Sequence, residues 1–544
     1  MSIKENIMKT LDRLVKVPSI SGTEKENLAS KEIYSILKEI PYFHEHKESV
    51  QINKIDKDSF NRGFVSAFLQ GKNPQNKDVI ILCGHFDVVD IGEFGSLKDV
   101  AFDFEKCTEQ INKLSLDEDT IKDLNSKEWI FGRGTADMKY GLALYIEILR
   151  ELSKEGNFNG NILFLAVPGE ESNSEGMLGA APYLSKLQDE EFNFKGLFLS
   201  ECCTPKYIGD EVKKIYLGSV GKIMPLFFCV GKATHVGNPF GGLNPNLLVS
   251  EINKLMEVNI ELSDSWKQDI TPPPVCLKQE DLKDLYSVQS PLYSYSYYNL
   301  LTLKWTPEEI MKKLKNIAYE AFENTVNIIN KNYQKYEKLC GGDNTNNLDI
   351  QPKILTYEEL YTEVKSIDKN FEKKLNKKID IWKNEKLDNQ TIGVKIIEET
   401  FEKYPNKEPA IIIAYNVPYY PHKYLNTSNP QCEQFLKYLD ETLKFAKEKY
   451  NLNIEKENFF MGISDLSYTG LEYGFNIESV CNNMPGIGNT YIFPEKDLKN
   501  INIPSVVFGG FGKDFHKYTE RLNIPYSMDI VPELYMHILN KMLK

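Results

Sequence analysis

Apolar residues open the chain at helical spacing. Ile3, Ile7, Leu11, Leu14 and Val15 share one face and predict a helix over Ile3–Val15. The same period predicts helices over Lys25–Ile40 and Gly141–Lys154, the latter with a stripe of Leu142, Tyr145, Ile146 and Leu149. Short apolar, β-branched runs between them read as strands at Val79–Cys83, Asn161–Val167 and Gly196–Ser200. Alternation of this kind over residues 1–217 predicts an α/β domain. The segment from about Asp90 to Glu128 is polar with short helical hints, and reads as an insertion between two strands.

The character changes near Gly218. "KIMPLFFCVG" reads as a strand, a Gly/Pro-rich loop "KATHVGNPFGGLNP" follows, and Leu247–Val258 reads as a helix. A strand is expected at Ser296–Leu303 and a long helix after it, because Thr306, Pro307 and Glu309 form a capping-box start. A further helix is predicted over Tyr357–Lys377 and a strand at "AIIIAYNV", 410–417. From about Asn451 strands and Gly-rich loops return ("FFMGISDLSY", "SVVFGGFGKDFH"), and a helix closes the chain. The reading is a first domain in two parts, 1–217 and 451–544, interrupted by a second domain over 218–450.

Composition narrows the partners. With 544 residues, 41% hydrophobic and 26% charged, the chain has the make-up of a globular protein of two or more domains. A formal net charge of -13 argues against nucleic acid, which needs a basic face, and favours a small molecule or metal. No apolar run is long enough to span a membrane, and the amphipathic start lacks a signal peptide's apolar core. Nine scattered cysteines without a CxxC pair read as reduced thiols, so a cytoplasmic location is expected. Arginine is scarce: only Arg13, Arg62, Arg133, Arg150 and Arg521 occur, and none lies between Glu151 and Glu520.

Of seven histidines, His44, His46, His422 and His537 lack a partner pattern and read as surface or packing residues. His85 ("CGHFD"), His235 ("KATHVGN") and His516 ("GKDFHK") sit in loops beside glycine, where a rigid scaffold carries chemistry. Strand-exit acids join them: Glu170 and Glu171 in "VPGEES", Asp137 in "GRGTADMK" and Glu201 in "LFLSECC". Singly, each is more often a turn former, a helix cap or a surface acid, and His85 with Asp87 could be only a polar strand exit. Together, two histidines and three carboxylates make a nitrogen and oxygen set that suits a pair of zinc ions bridged by one carboxylate.

In order, "GHFDVV", "GRGTADMKYG", "VPGEES", the strand-end Glu201, the loop "GKATHVGNPFGGLNP" and "GGFGKDFH" resemble the motifs of metallopeptidase family 20, the zinc-dependent aminoacylase, carboxypeptidase G and succinyl-diaminopimelate desuccinylase family. The resemblance implies a zinc-exopeptidase-like α/β domain, its mixed sheet flanked by helices, with an inserted α+β lid that dimerises. It implies two zinc ions per chain, replaceable by cobalt or manganese: His85, Asp137 and Glu201 hold one, Asp137, Glu171 and His516 the other, and Asp137 bridges. Glu170 is implied as the general base for a metal-bridging water, and Asp87 as the hydrogen-bond acceptor that orients His85. His235 is implied to stabilise the oxyanion, often across a dimer, and Asn244 to contact substrate, although a turn role fits Asn244 equally.

The resemblance also bears on the substrate. Glutamate at the position of Glu201 is similar to the carboxypeptidase and deacylase members, which points to an amidohydrolase on a small N-acyl amino acid. Members that grip a substrate carboxylate commonly use a lid arginine, and here there is none; a lysine offers only a point charge. Length, the enlarged insertion and "YNVPYYPHKYLN" resemble the arginine-utilisation branch of the family, so arginine or ornithine catabolism is the expected context. An exopeptidase or dipeptidase on short peptides, and a silent protein that binds an amino-acid derivative, are the alternatives. A silent member should have lost a ligand or the base, and all six residues are present.

Overall fold

The apolar run Val79–Cys83 becomes the middle of a strand, Asp78–His85, buried along nearly its whole length. Burial on both faces is what a continuous rather than alternating apolar run predicts for a parallel strand between helical layers. The computed structural model describes residues 2–342, 347, 350–471 and 475–544. The chain forms two units: Met1–Ser219 with Lys423–Glu472 and Pro494–Lys544, and Val220–His422 with Tyr473–Phe493.

The first unit is built on an eight-stranded mixed sheet in the order Val50–Lys54, Gly63–Gln70, Asn161–Val167, Asp78–His85, Asn193–Leu199, Ser505–Val507, Lys213–Tyr216 and Ile454–Glu457. The four central strands, from Asn161–Val167 to Ser505–Val507, run parallel. Helices cover it as the apolar stripes direct: Ile3–Val15 packs on Lys139–Glu155, and Glu26–Lys38 on the strands Val50–Lys54 and Gly63–Gln70. The Asp90–Glu128 insertion forms a 3-10 segment, Gly92–Val100, and short helices at Phe104–Gln110 and Glu118–Ser126. A small second sheet joins Gly512–Lys513, Arg521–Asn523 and Trp129–Phe131.

The second unit carries a five-stranded sheet, Val275–Asp281, Tyr293–Thr302, Gly221–Val230, Ala410–Tyr420 and Ile354–Thr356, antiparallel except for the last pair. Along Ala410–Tyr420, Ala410, Ile412 and Ala414 join Leu226, Phe228 and Val230 in a core with Leu360, Val364, Ile392 and Ile396 of the helices Tyr357–Ile367 and Asn389–Lys403. The long helix Pro307–Leu339 starts at the expected capping box, Thr306 with Glu309, and packs on Ala410–Tyr420.

Three boundaries differ from the sequence reading. The helix Pro430–Tyr450, inside the insertion as bounded at 450, belongs to the first unit, where Phe435 meets Phe198 with ring centroids 5.1 Å apart. An amphipathic pattern shows that a helix has an apolar face and leaves open which sheet it covers. Conversely, Tyr473–Phe493 returns to the second unit. The single helix expected over Tyr357–Lys377 is two, Tyr357–Ile367 and Phe371–Asn384, because Asp368 turns extended and its carboxylate accepts the Asn370 N–H at 2.9 Å.

Candidate metal centre

Three loops leave the carboxyl ends of adjacent parallel strands, where open α/β sheets hold ligands. His85 ends Asp78–His85, Glu170 and Glu171 follow Asn161–Val167, and Glu201 follows Asn193–Leu199. Asp137 lies just ahead of the helix Lys139–Glu155. A Cβ on Gly141 would fall 1.9 Å from Ser200 Oγ, so glycine lets the first turn of that helix press against the strand end that presents Glu201. His516 comes from the loop between Gly512–Lys513 and Arg521–Asn523.

These side chains converge. His85 Nε2 lies 3.1 Å from one oxygen of Asp137 and 3.2 Å from Glu201; His516 Nε2 lies 3.1 Å from the other oxygen of Asp137 and 3.1 Å from Glu171. The two oxygens of Asp137 thus face two separate imidazole–carboxylate pairs. Donor atoms of His85, Asp137 and Glu171 all fall within 4.8 Å of one another. Glu170 stands back, 3.9 Å from His85, and its side chain is 9% exposed.

Asp87 does more than sequence suggested. The His85 Nδ1 contact is closer to the Asp87 carbonyl oxygen, 3.0 Å, than to its carboxylate, 3.5 Å. The carboxylate instead accepts the backbone N–H groups of Glu170 and Glu171 at 3.1 and 3.0 Å, which fixes the turn carrying both acids. Burial opposes its ionisation, yet His85 and the Glu171 N–H hold its pKa below the usual carboxylate range.

The charges are arranged unequally. Burial opposes charge on Asp137, but hydrogen bonds from His516 and His85 outweigh it and hold its pKa down. Burial and the charge of Asp137 push Glu171 up to about 7, and burial with Glu171, Asp465 and Glu201 nearby raises Glu170 well above the carboxylate range despite His85. Hydrogen bonds to Asp137 and Glu171 raise His516 to about 10. Among the described residues, the ion pairs of Asp137, Glu170, Glu171 and Glu201 are all with His85 or His516. Concentrated negative charge, hard oxygen and borderline nitrogen together fit divalent ions such as zinc.

Other residues of the first unit surround the cluster and were missed in the sequence. The Glu520 carboxylate accepts three hydrogen bonds, from the N–H groups of Ala136 at 3.2 Å and Asp137 at 3.3 Å and from Arg133 at 2.6 Å, and Arg133 also donates to the carbonyl of His516 at 3.1 Å. Arg62 pairs with Glu26, Asp58 and Glu175 beneath the Glu170–Glu171 turn. Asp465 is buried; burial, against the lowering charge of His85 and with Asp87 and Glu201 adding to it, pushes its pKa up to about 8. Its place in "GISDLSY", just where the first domain resumes, was the available signal.

Two expected residues belong to the second unit. His235 is exposed, with Nδ1 accepting the Gly237 N–H at 3.0 Å. Asn244 is the N-cap of the helix Pro245–Met256, its oxygen accepting the Asn246 N–H at 3.0 Å.

The family model for Peptidase family M20/M25/M40 matches residues 113–540, and the chain belongs to that family of metal-dependent hydrolases. Its relatives include two proteins of Bacillus subtilis (strain 168). YqjN is 33% identical over 99% of this chain and 97% of its own, and RocB is 31% identical over 98% and 94%. The crystal structure of aminopeptidase PepT from Bacillus cereus ATCC 10987 shares the fold, with a TM-score of 0.53 at 15% identity over 99% of each chain.

Proposed function

We propose that this protein is a two-zinc amidohydrolase that releases the amine from a small N-acyl amino acid or a related amide, in arginine or ornithine catabolism. The observation that carries the reading is Asp137, whose two oxygens each meet a separate imidazole–carboxylate pair. In this reading His85, Asp137 and Glu201 hold one ion, and Asp137, Glu171 and His516 the other. Such ions, zinc or in its place cobalt or manganese, supply Lewis-acid polarisation and make water acidic enough to attack near neutral pH.

Glu170 is the base. It stands outside both pairs, and its burial raises its proton affinity above that of an ordinary carboxylate. It takes a proton from the attacking water and passes it to the departing nitrogen. The buried walls of His85, Asp87 and Glu201 exclude bulk water around it. We assign His235 to stabilising the oxyanion and Asn244 to the substrate side of the lid, as the family resemblance implies.

Substrate choice is argued from arginine. Arg13 pairs with Glu32 and Glu39, Arg62 with Glu26, Asp58 and Glu175, Arg133 with Glu520, Arg150 with Glu147, and Arg521 with Asp119, Asp123 and Asp514. All five are committed to carboxylates of their own chain, which favours a substrate that does not depend on a guanidinium fork at its carboxylate.

The test is to load purified protein with zinc and incubate it with N-acyl arginine, N-acyl ornithine, other N-acyl amino acids and dipeptides, reading released amine by mass spectrometry. Release from the acyl arginine or ornithine compounds is expected. Release from dipeptides alone would replace the deacylase reading with an exopeptidase. Glu170→Gln should keep its metal and lose about 10²–10⁴-fold in kcat; undiminished turnover would remove Glu170 as the base.

A further inference from the structure

We infer that the Asp90–Glu128 insertion is a clamp that positions His516, and that Asp119 and Asp123 set how tightly the ion shared by Asp137, Glu171 and His516 is held. The inference rests on the two-ion reading of the site.

His516 is poorly supported by its own loop. Its side chain is 55% exposed, the strands that flank the loop are two and three residues long, and Asp514 and His516 both adopt positive φ, 56° and 65°. Non-glycine residues in that region are strained, and they persist where surroundings over-determine them. The surroundings here come from the insertion. Both ends of the loop carry a buried cation, Lys513 and Arg521, 4% and 1% exposed.

Asp119 and Asp123 stand four residues apart on the helix Glu118–Ser126, which puts them on one face. One oxygen of Asp123 accepts from Lys513 Nζ at 2.9 Å and Arg521 Nε at 2.7 Å; one oxygen of Asp119 accepts from the same Lys513 at 2.9 Å and from Arg521 Nη2 at 2.9 Å. Arg521 Nη1 then reaches back to Asp514 at 2.5 Å inside the loop. A third tie joins the Tyr518 hydroxyl to the Ser115 carbonyl oxygen. Arg133 adds a bond to the His516 carbonyl oxygen and another to that of Asp90, the first residue of the insertion. Asp514 is also tied within the loop to Lys517 and Thr519, and the His516 ring meets Asp137 and Glu171, but the salt bridges and the Tyr518 hydroxyl bond that reach the loop and its two ends from the insertion all come from Ser115, Asp119 and Asp123.

The ion pairs do not touch the donor atoms, so Asp119 and Asp123 are positioning residues, and their effect should appear in metal affinity. Supporting partners of metal ligands typically change affinity by 10–100-fold when lost. Zinc binding to metal-free protein is measured by competition with a chromophoric chelator, which resolves a first and a second ion.

Asp119→Asn with Asp123→Asn should weaken the second ion about 10–100-fold and leave the first within about threefold. Should the double variant fail to fold, Asp119→Asn alone and Tyr518→Phe decide the matter. Asp119 is partly exposed and Tyr518→Phe removes only a hydroxyl, so both should fold and each should weaken the second ion severalfold. Asp119→Glu should restore part of the loss. Wild-type protein that takes up no metal sinks the hydrolase reading and this inference together. Wild-type protein with two ions, beside variants that hold the second as tightly, overturns the clamp alone.

Discussion

A buried carboxylate that serves two backbone N–H groups and one guanidinium does more for a site than its distance from the chemistry suggests. Glu520 is such a group: it holds Ala136 and Asp137 by their N–H groups and neutralises Arg133, which in turn holds the His516 carbonyl. Glu520→Gln keeps the shape and leaves Arg133 buried without a counter-charge. The expected cost is about 3–5 kcal/mol, read from thermal or urea unfolding of the full chain. A change below about 1 kcal/mol would show that water or another acid compensates. Asp87 illustrates the same division of labour, with its carbonyl turned to His85 and its carboxylate to the Glu170–Glu171 turn.

Between elements, the connection into the long helix Pro307–Leu339 depends on one side chain. Asp264 is fully buried, and one of its oxygens accepts the N–H groups of Leu303, Lys304 and Trp305 at 2.8, 2.7 and 2.8 Å; the other accepts that of Ser265 at 2.7 Å. This anchors the turn between the strand Tyr293–Thr302 and the helix's capping box. Asp264→Ala leaves four backbone donors without this partner, the one at Leu303 buried and the others within reach of water, and the second unit should lose about 1–3 kcal/mol. Proteolysis within the second unit, followed with urea, measures that loss. An unchanged cleavage profile would mean that the turn is held by the flanking elements alone.

At the scale of the whole molecule, acid should act through His422. Burial lowers its pKa from the ordinary 6.5 to about 4, with the charge of Asp264 only partly opposing, and Thr302 and Phe475 pack beside it. Above pH 6.5 folded and unfolded forms are both neutral at this residue, so its stability contribution is fully present. As pH falls toward 4 the unfolded chain binds a proton that the folded chain refuses, and about 3 kcal/mol is lost. Unfolding of His422→Asn should therefore be less steep in pH over that window; an identical slope would assign the acid sensitivity to other groups.

Self-association belongs to the same scale. Val275–Asp281 is an edge strand of the second unit's sheet, and Val258, Ile260, Ile270 and Leu277 near it are exposed. We propose a homodimer through this face. Sedimentation should give a dimer for the parent chain and a monomer for Leu277→Lys with Ile270→Lys. Among the described residues no helix is long and apolar enough to cross a membrane, and all nine cysteines are free.

Legibility followed the range of the interactions. Strand and helix patterns predicted Ile3–Val15 and Asn161–Val167 to the residue, because an apolar period is a local property. The seven candidates His85, Asp87, Asp137, Glu170, Glu171, Glu201 and His516 were legible as loop residues at strand ends, since acids and histidines in such places are written in short motifs. Glu520, Asp119 and Asp123 were not, for an acid that grips a backbone or a cation far along the chain looks like any surface acid. Nor could a Lys/Glu-rich helix declare that Pro430–Tyr450 would cover Phe198. The sequence by itself placed acids and histidines at strand ends, because side-chain type and local spacing are local properties, and its resemblance to a known family implied which of them would hold metal and which would accept a proton. Only the tertiary structure decided which oxygen of Asp137 faces which imidazole and what holds His516 there, because those contacts join segments up to 403 residues apart, from Ser115 to Tyr518.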